Sequence, residues 1–367
     1  LDISVDQTST GLIPKTLAPL LEKRIALKGQ LLELDRRDSR YKHAEALSSA
    51  HKWLLVTCFG YLGYKNARFG RIEAHEAVTA YGRECLLRAK EAAEDLGFRV
   101  LHIYVDGLWV QKVGAKQVAD FQPLLEEILD RTGLPIGLDG IYRWIAFLPS
   151  KTDPRVPVSN RFFGVFQDGR LKLRGIEARR RDTPPYIKNT QRDVLEMLAR
   201  APSAEQLENM LPKAVALLQD RLMDLQSGQV TLEQLLVTQK LSRELEQYKV
   251  LSPAARAAVQ LQAEGKAVKV GQYVRFLYTI GEPGVYAWDL PQRPDPGCLD
   301  LDRYAELLLR AAHTVLQPLG VKEETLRWWL FSNAGYGAPP GEMVEGQNGL
   351  PLFTEQGNSR ARISTLR

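Results

Sequence analysis

The chain has 367 residues, of which 44% are apolar and 25% are charged, and its formal net charge is +5. A chain of this length can bury a large core, and two or three subdomains are expected. No apolar run approaches the roughly 18 residues that a membrane span requires, and no basic-then-apolar leader opens the sequence, so we expect a soluble protein that engages no membrane. Cys58, Cys85 and Cys298 are few, odd in number and widely spaced. They predict neither a disulfide framework nor a zinc site, and a cytoplasmic location fits best.

The first predicted helix carries a pair of cations. Apolar residues recur at helical spacing over residues 14–38, with breaks expected at Pro19 and Gly29. Arg24 and Lys28 stand four apart and therefore share one face. They fit either a solvated stripe or a pair of donors for phosphate.

A second helix is predicted from about Lys42, and it ends among aromatic residues and glycines at residues 59–64. Lys52 lies within this helix, eight residues before Gly60. Aromatic rings beside glycines allow a flat base pair to approach the backbone closely, and cations follow at Lys65 and Arg68. A packed helix end explains the aromatic residues nearly as well.

Residues 71–96 predict a long helix of high propensity and mixed charge. His75 and Glu76 are adjacent and point apart on a helix, and no second histidine follows four residues on. We therefore expect His75 to be structural and not a metal ligand.

The stretch LHIYVDGLWVQKV, residues 101–113, predicts two short strands joined at a tight Asp106–Gly107 step. This places one carboxylate at an exposed apex, although an Asp-Gly pair that only serves the turn explains the stretch as well. A helix is expected near residues 116–132, followed by the buried strand IYRWIAFLP. The order of helix, strand pair, helix and strand predicts an α+β layer whose sheet displays Asp106.

A basic band covers residues 151–192, which hold eleven Lys or Arg against four Asp or Glu among four aromatic residues. Its strand-like segments are bounded by Asp168-Gly169 and by Gly175, and alternate residues of a strand point the same way. A solvated face is one explanation. We favour contact with a nucleic-acid backbone, because cations interleaved with aromatic residues are typical of such a surface. From Ser203 the chain is predicted to be mostly helical.

Several of these motifs together resemble the fingers, palm and thumb of B-family DNA polymerases over roughly residues 11–325. They are FGYLGYKNARFGRIEAHEAVTAYGRE, HIYVDGLWV, RLKLRGIEARRRDTPPYIK, LSRELEQYKVLSPAARAAVQL and GQYVRFLY. The chain is most similar to the diverged archaeal and bacterial branch with altered catalytic motifs. The resemblance implies a right-hand architecture with an antiparallel palm sheet, helical fingers and a mostly helical thumb. The family's exonuclease domain and its first palm motif, motif A, would precede residue 1.

The resemblance divides the chain into five parts. They are an irregular N-terminal segment at 1–10, fingers helices at 11–70, a palm at 71–201, a thumb at 202–330 and a Gly/Pro-rich tail at 331–367.

A nucleotide site follows from the same resemblance, and antiparallel fingers helices would bring its three cations around one polyanion. Val56 stands where the family has an asparagine, which removes a polar contact, so weaker nucleotide binding is expected. The residues assigned to the incoming nucleotide are Arg24, Lys28, Lys52, Phe59 and Gly60.

The metal site is where the chain departs furthest from the family pattern Tyr-x-Asp-Thr-Asp-Ser. Asp106 matches the first aspartate and is the expected catalytic and metal-binding residue, but Leu108 stands in place of the second. Two-metal phosphoryl transfer needs carboxylates that hold two Mg²⁺ ions, and a leucine cannot ligate magnesium. The expected two-metal Mg²⁺ site is therefore incomplete.

The expected DNA contacts are better preserved. Arg161 matches the arginine of the family's Lys-Lys-Arg-Tyr motif, and Arg180, Arg181 and Asp182 match its Arg-Arg-Asp, in which the aspartate is expected to orient an arginine as a buried pair. The residues assigned to DNA are Arg161, Lys172, Arg174, Arg179, Arg180, Arg181, Lys188 and Lys240.

Two functions follow. One is a DNA-directed DNA polymerase that adds deoxynucleotides to a primer 3′ end with reduced activity, since position 108 is a leucine. The alternative is a catalytically weak or inactive primer-template DNA-binding module of replication or repair. Both need primer-template DNA and dNTP, and a missing segment or a partner chain would supply motif A and the exonuclease domain. A cytosolic α+β protein unrelated to nucleic acid is the third interpretation, and it predicts no salt-sensitive affinity for DNA.

Overall fold

A computed structural model describes residues 8–150, 152–153, 155–332 and 336–337, together with the backbone of residues 359–365. The helices are α1 Leu12–Glu33, α2 Ser39–Leu62, α3 Ile72–Asp95, α4 Gln122–Thr132, α5 Pro185–Leu198, α6 Leu211–Gln226, α7 Pro253–Ala263, α8 Leu301–Leu316 and α9 Glu323–Phe331. The strands are β1 Arg99–Tyr104, β2 Gly107–Lys112, β3 Ile136–Pro149, β4 Pro157–Phe166, β5 Leu171–Arg174, β6 Val237–Lys240, β7 Tyr273–Tyr278, β8 Val285–Ala287 and β9 Ser359–Thr365. Within these described parts, no helix is long and apolar enough to cross a membrane.

The chain forms two compact units of mixed helix and sheet, as the α+β prediction requires. Unit 1 comprises residues 1–109, 121–138 and 363–367, and unit 2 comprises residues 110–120 and 139–362.

Helices α1 and α2 of unit 1 pack against each other as a helical hairpin with a short connection. The predicted breaks at Pro19 and Gly29 are wrong, because α1 runs through both residues without interruption. A proline removes a single backbone donor, and packing along a partner helix can offset that loss. The second helix begins at Ser39, where the Asp38 carboxylate accepts a hydrogen bond from the Arg40 backbone N–H.

The rest of unit 1 packs around α3, which contacts α2, α4 and β1. Its inward face consists of small residues, Ala89, Ala92 and Ala93, and this lets its neighbours approach closely. The rings of Phe98 and Phe121 lie 5.7 Å apart in the same core. The long helix predicted over residues 71–96 is confirmed, and it presents the β1–β2 hairpin at its C-terminal end.

Three antiparallel strands, β3, β4 and β5, lie side by side in unit 2. Phe163 pairs with Ala146 on one side and with Leu173 on the other. The turn between β4 and β5 uses Gly169 at a φ of +86°, as the Asp168-Gly169 boundary predicts. The register places the side chains of the basic band along two adjacent strands.

The second part of unit 2 contains α5 to α9 and a three-stranded antiparallel sheet in the order β6-β7-β8. Strand β7 lies within the quoted motif GQYVRFLY, whereas the four-residue β6 and the three-residue β8 are too short to leave a periodic signal. Lys240 of β6 pairs with Tyr273 of β7. This pairing places Lys240 beside Tyr273, at the pocket described below.

The two predicted terminal segments are described only in part. Residues 8–10 precede the first helix, and residues 1–7 lie outside the described residues. Within the predicted tail, residues 359–365 form β9, while 333–335, 338–358 and 366–367 lie outside the description.

Candidate functional site

Three cations of the helical hairpin lie close together. Arg24 and Lys28 occupy successive turns of α1, and Lys52 lies on α2. Burial lowers the pKa of Lys28, and the charges of Arg24 and Lys52 lower it further. The structure therefore brings together the three residues that the sequence assigns to a triphosphate. Like charges this close repel one another, and a bound polyanion would relieve the repulsion.

Arg24 is the most unusual member of this group. Only 8% of it is exposed, burial lowers the pKa of its guanidinium, and its buried Nε has no hydrogen-bond partner among the described residues. A buried cationic donor without a partner is costly unless something binds it. The arrangement is thus suited to an anion that supplies the missing acceptor.

The residues of α2 that follow Lys52 form an uncharged surface with an aromatic side chain and open space. Phe59 follows Lys52 by seven residues, so it lies about 10 Å along the helix on nearly the same side, and Gly60 lies about 12 Å along and about 80° around the helix. A Cβ atom at Gly60 would meet no heavy atom within 4 Å, which leaves open space above the backbone. Val56 lies between these positions and is exposed. This part of α2 thus offers exposed side chains and open space beyond the three cations.

The loop after α2 is fixed by tight turns. The Arg71 N–H donates to the Leu62 carbonyl over 2.8 Å, and the Arg68 N–H donates to the Tyr61 hydroxyl over 3.1 Å. Only glycine fits at position 70, because a Cβ there would collide with the Tyr64 carbonyl oxygen. Of the glycines predicted to end the helix before Lys65, Gly63 caps the C-terminus of α2, whereas Gly60 lies inside the helix.

The β1–β2 hairpin is present, but its turn differs from the predicted one. The two residues between the strands are Val105 and Asp106, and Gly107 already begins β2. The Asp106 N–H donates to the Tyr104 carbonyl over 2.7 Å, which closes a three-residue turn around Val105. Val105 consequently takes a φ of +54°, a strained conformation for a β-branched residue. Asp106 is half-buried beside it.

The residues of this hairpin do not fit a two-metal centre. Leu108 is only 3% exposed and belongs to the core. In the part of the chain that the structure describes, no three His, Cys, Asp or Glu side chains come together as a possible metal site. One carboxylate is too few to hold two Mg²⁺ ions, which take oxygen ligands.

Several cations of the basic band are held by neighbours within unit 2. Arg161 of β4 donates from Nε to the Gly175 carbonyl over 3.2 Å, and Lys172 of β5 pairs with Asp139 at 3.4 Å. Arg174 and Arg179 are exposed, on β5 and on the short 3-10 turn that follows it. Lys151 of the band lies outside the described residues.

Arg180 and Asp182 form a two-pronged ion pair, with Nε to Oδ1 at 2.9 Å and Nη2 to Oδ2 at 2.6 Å. The hydrogen bonds from Arg180 lower the pKa of Asp182 below its usual value. The prediction of a buried pair is wrong, because the Arg180 side chain is 56% exposed. Surface pairs of this kind add little stability, and Arg180 is accessible to a ligand.

An open pocket of about 480 Å³ lies beside this pair, between the loop of Arg180 and the β6–β7 strands. Arg181 donates to the Tyr273 hydroxyl over 2.7 Å, and its guanidinium carbon lies 5.7 Å from the centre of that ring. Lys240 lines the same pocket. Three cations thus face one carboxylate, Asp182, which makes the pocket suitable for phosphate.

The far wall of the pocket is polar. Ser252 caps the N-terminus of α7, where it accepts from the Ala255 N–H over 3.3 Å. Ser242 lies 3.0 Å from the Tyr248 hydroxyl, and its hydrogen bonds lower the pKa of that phenol. Helix N-termini and hydroxyl groups favour anions. The sequence analysis assigned no role to Ser242, Ser252 and Tyr273, although they lie within the quoted segments LSRELEQYKVLSPAARAAVQL and GQYVRFLY.

Lys188 lies on α5 and does not line this pocket. Burial lowers its pKa, while the charge of Asp182 raises it. Of the eight cations predicted to contact DNA, the described pocket thus brings together Arg180, Arg181 and Lys240.

The chain is similar to known DNA polymerases. The sequence model of DNA polymerase family B matches residues 2–107 and 160–302, which is more than half of the chain. The match is interrupted between Gly107 and Asn160, so it stops immediately before Leu108.

Curated relatives include a DNA polymerase of Archaeoglobus fulgidus, 28% identical over 275 residues that cover 75% of this chain and 33% of that protein. A DNA polymerase of a Thermococcus species is 27% identical over 345 residues, 89% of this chain and 41% of its own length. The chain thus spans about a third to two fifths of the length of these relatives.

Among solved structures, the family B DNA polymerase of the hyperthermophilic archaeon Pyrobaculum calidifontis aligns with a TM-score of 0.55 at 27% identity, covering 86% of this chain and 39% of that one. The family match, the relatives and this structural similarity agree, and the chain belongs to DNA polymerase family B.

Proposed function

We propose that this chain is the fingers, palm and thumb part of a DNA-directed DNA polymerase in which nucleotidyl transfer is reduced. The observation that carries the proposal is the convergence of Arg24, Lys28 and Lys52 on one side of the α1–α2 hairpin. Three cations from two helices can surround a triphosphate, and Phe59 and Gly60 lie where its nucleoside would extend.

The pocket of unit 2 supports primer-template DNA as the second ligand. Phosphate contacts need accessible cations, hydroxyl groups and helix N-termini, and the pocket supplies all three. Arg181, Lys240 and the N-terminus of α7 therefore hold the sugar-phosphate backbone in this proposal. Such contacts position a duplex without reading its sequence.

Transfer is reduced because Asp106 has no second carboxylate at position 108. A missing segment or a partner chain, corresponding to the part of the relatives that this chain does not match, would bring the motif A aspartate and an exonuclease domain. The name DNA polymerase carried by the relatives supports the reaction class.

A second candidate is a primer-template DNA-binding module without transfer activity. The observation that favours it is the burial of Leu108. A side chain at position 108 packs in the core and does not line an open metal site. This candidate keeps both binding surfaces and predicts that added Mg²⁺ produces no extension.

Primer extension by the purified chain separates the two candidates. A labelled primer-template is incubated with dNTP and Mg²⁺ at low salt, with Asp106→Asn as the matched variant and Asp130→Asn, on exposed α4 surface, as its control. Slow extension that Asp106→Asn abolishes and Asp130→Asn preserves supports the polymerase. Binding without extension supports the module, and failure to bind primer-template at low salt contradicts both.

A further inference from the structure

His75 makes contacts that the sequence analysis does not anticipate. Its imidazole stacks on the ring of Phe59, with centroids 4.1 Å apart and planes inclined by 23°. Its Nδ1 lies 3.1 Å from the Phe59 carbonyl oxygen. A carbonyl oxygen only accepts hydrogen bonds, so Nδ1 is the donor. One side chain from the first turn of α3 therefore holds both the ring and the backbone of one residue on α2.

The backbone at Gly63, which caps the C-terminus of α2, lies close to the imidazole of His75. A Cβ atom at Gly63 would lie 3.1 Å from Nδ1 and 3.2 Å from Cγ of His75. Gly63 has a φ of −83°, a conformation open to every residue type, so the fit to the imidazole is what restricts this position. The contact is thus built from both helices.

Phe59 needs such support because 36% of it is exposed. An exposed aromatic side chain on a helix changes rotamer readily, and a mobile ring loses entropy when a ligand orders it. Stacking on His75 removes that mobility before the ligand arrives. The ring then stands two turns along α2 from Lys52, where a nucleoside would lie.

We propose that His75 is a positioning residue for the nucleoside end of the nucleotide site, acting through the ring of Phe59. The inference rests on the proposed function, since it takes the nucleotide to lie along α2. It separates the site into two parts: the cations recognise the triphosphate, and the Phe59–His75 stack recognises the nucleoside. In this proposal His75 acts through its contacts with Phe59 and does not itself bind the triphosphate.

The two parts can be tested with two probes, dATP and inorganic tripolyphosphate. His75→Ala is expected to weaken dATP binding about 3- to 10-fold, the range of an aromatic pair, and to leave tripolyphosphate binding unchanged. Lys52→Ala should weaken both ligands. His75→Phe keeps a ring to stack on Phe59 and should restore much of the dATP affinity. A role in stability alone would lower the melting temperature and affect both ligands equally.

Gly63→Ala gives a second variant that leaves His75 in place but displaces its ring. It is expected to weaken dATP binding in the native sequence and to have no further effect in the His75→Ala background. Gly82→Ala is the matched control, because a Cβ at Gly82 of α3 meets no heavy atom within 4 Å. Gly63→Ala in the native sequence, compared with Gly82→Ala, tests the proposal even if His75→Ala fails to fold.

The outcomes are distinct. Loss of dATP affinity alone, in His75→Ala or in Gly63→Ala, supports the inference. Equal affinities for dATP in the native and His75→Ala proteins, or equal losses for both probes, overturn it while the proposed nucleotide site stands. If the native chain binds neither dATP nor tripolyphosphate, the proposed function fails and this inference with it.

Discussion

The α1–α2 hairpin and the β1–β2 hairpin have different roles in the proposed function, nucleotide binding and metal chemistry, and they differ in how well each fits its role. The helical hairpin of α1 and α2 gathers three cations at one place, and one of them, Arg24, is buried with an Nε that has no partner in the described part of the chain. The β1–β2 hairpin offers Asp106 alone, next to a strained Val105 and a buried Leu108. The buried cation of the helical hairpin costs stability unless a ligand binds it, whereas the buried Leu108 of the β1–β2 hairpin packs in the core without a ligand.

The difference teaches that binding and chemistry can vary separately within one domain. Charge recognition needs only several cations within reach of one anion. Metal chemistry needs a fixed set of ligands, so the loss of one ligand is expected to slow it strongly. Four changes below test this comparison, beginning with the largest expected effect.

Replacement of Leu108 measures how much this residue contributes to the stability of the core, and whether the β1–β2 hairpin can bind a metal ion. Leu108→Asp and Leu108→Asn should each lower the free energy of unfolding by about 3 kcal/mol or more, because each deletes apolar contacts and buries a polar group. The two new side chains have similar shapes, but only aspartate provides a carboxylate for a divalent cation. Denaturant unfolding with and without Mg²⁺ is the measurement. We expect Mg²⁺ to rescue neither variant, and rescue of the aspartate variant alone would show that the hairpin can hold a metal.

Arg24→Met tests whether the helical hairpin is built for an anion. Loss of a charge-assisted contact should weaken dNTP binding about 10- to 100-fold. The free energy of unfolding should stay the same or increase, since an apolar chain replaces a buried and incompletely paired cation. Arg36→Met, at an exposed cation after α1, is the control and should change neither quantity. A variant that loses stability and keeps its affinity would identify Arg24 as a structural residue.

Arg181→Gln examines the pocket of unit 2. Primer-template affinity should fall about 3- to 10-fold for every DNA sequence, and the slope of log K against log salt should flatten by about 1, the signature of one phosphate contact. Fluorescence anisotropy at four or more salt concentrations gives both values. Arg310→Gln on α8, also an exposed arginine of unit 2, should leave the slope unchanged. Equal slopes for the native chain and Arg181→Gln would remove this residue from the DNA interface.

Val105→Gly has the smallest expected effect. Glycine adopts the left-handed conformation without strain, a gain of about 1–2 kcal/mol that is partly offset by its greater freedom in the unfolded chain. The net result should be about 0.5 kcal/mol of added stability, measured by denaturant unfolding. Val113→Gly, at an exposed valine outside the left-handed region, should be destabilising instead. Destabilisation by both changes would mean that the Val105 side chain contributes more than its strained backbone costs.

Sequence patterning predicted many of the helices and strands, because these elements depend mainly on residues that are close together in the sequence. Helical spacing placed Arg24 and Lys28 on one face, and β-forming residues around Asp106 placed the hairpin. The position of the turn was harder: Asp-Gly statistics favour Asp106 and Gly107 at its centre, but the strands pair so that Val105 and Asp106 occupy it.

Contacts between distant segments were the part that sequence could not provide. Arg181 meets Tyr273 across 92 residues, and His75 meets Phe59 across 16. Each pairing depends on how two elements pack, which the periodicity of neither element records. The burial of Leu108 could not be predicted for the same reason, because it depends on how the elements pack around it in the folded chain.

The most direct test of the account compares binding and transfer in one sample of the native chain. Equilibrium affinities for primer-template DNA and dNTP are measured together with the single-turnover rate of extension in Mg²⁺. The account predicts salt-sensitive binding of both ligands with extension that is slow and depends on Asp106. Fast extension that persists in Asp106→Asn, or the absence of DNA binding at low salt, would contradict it.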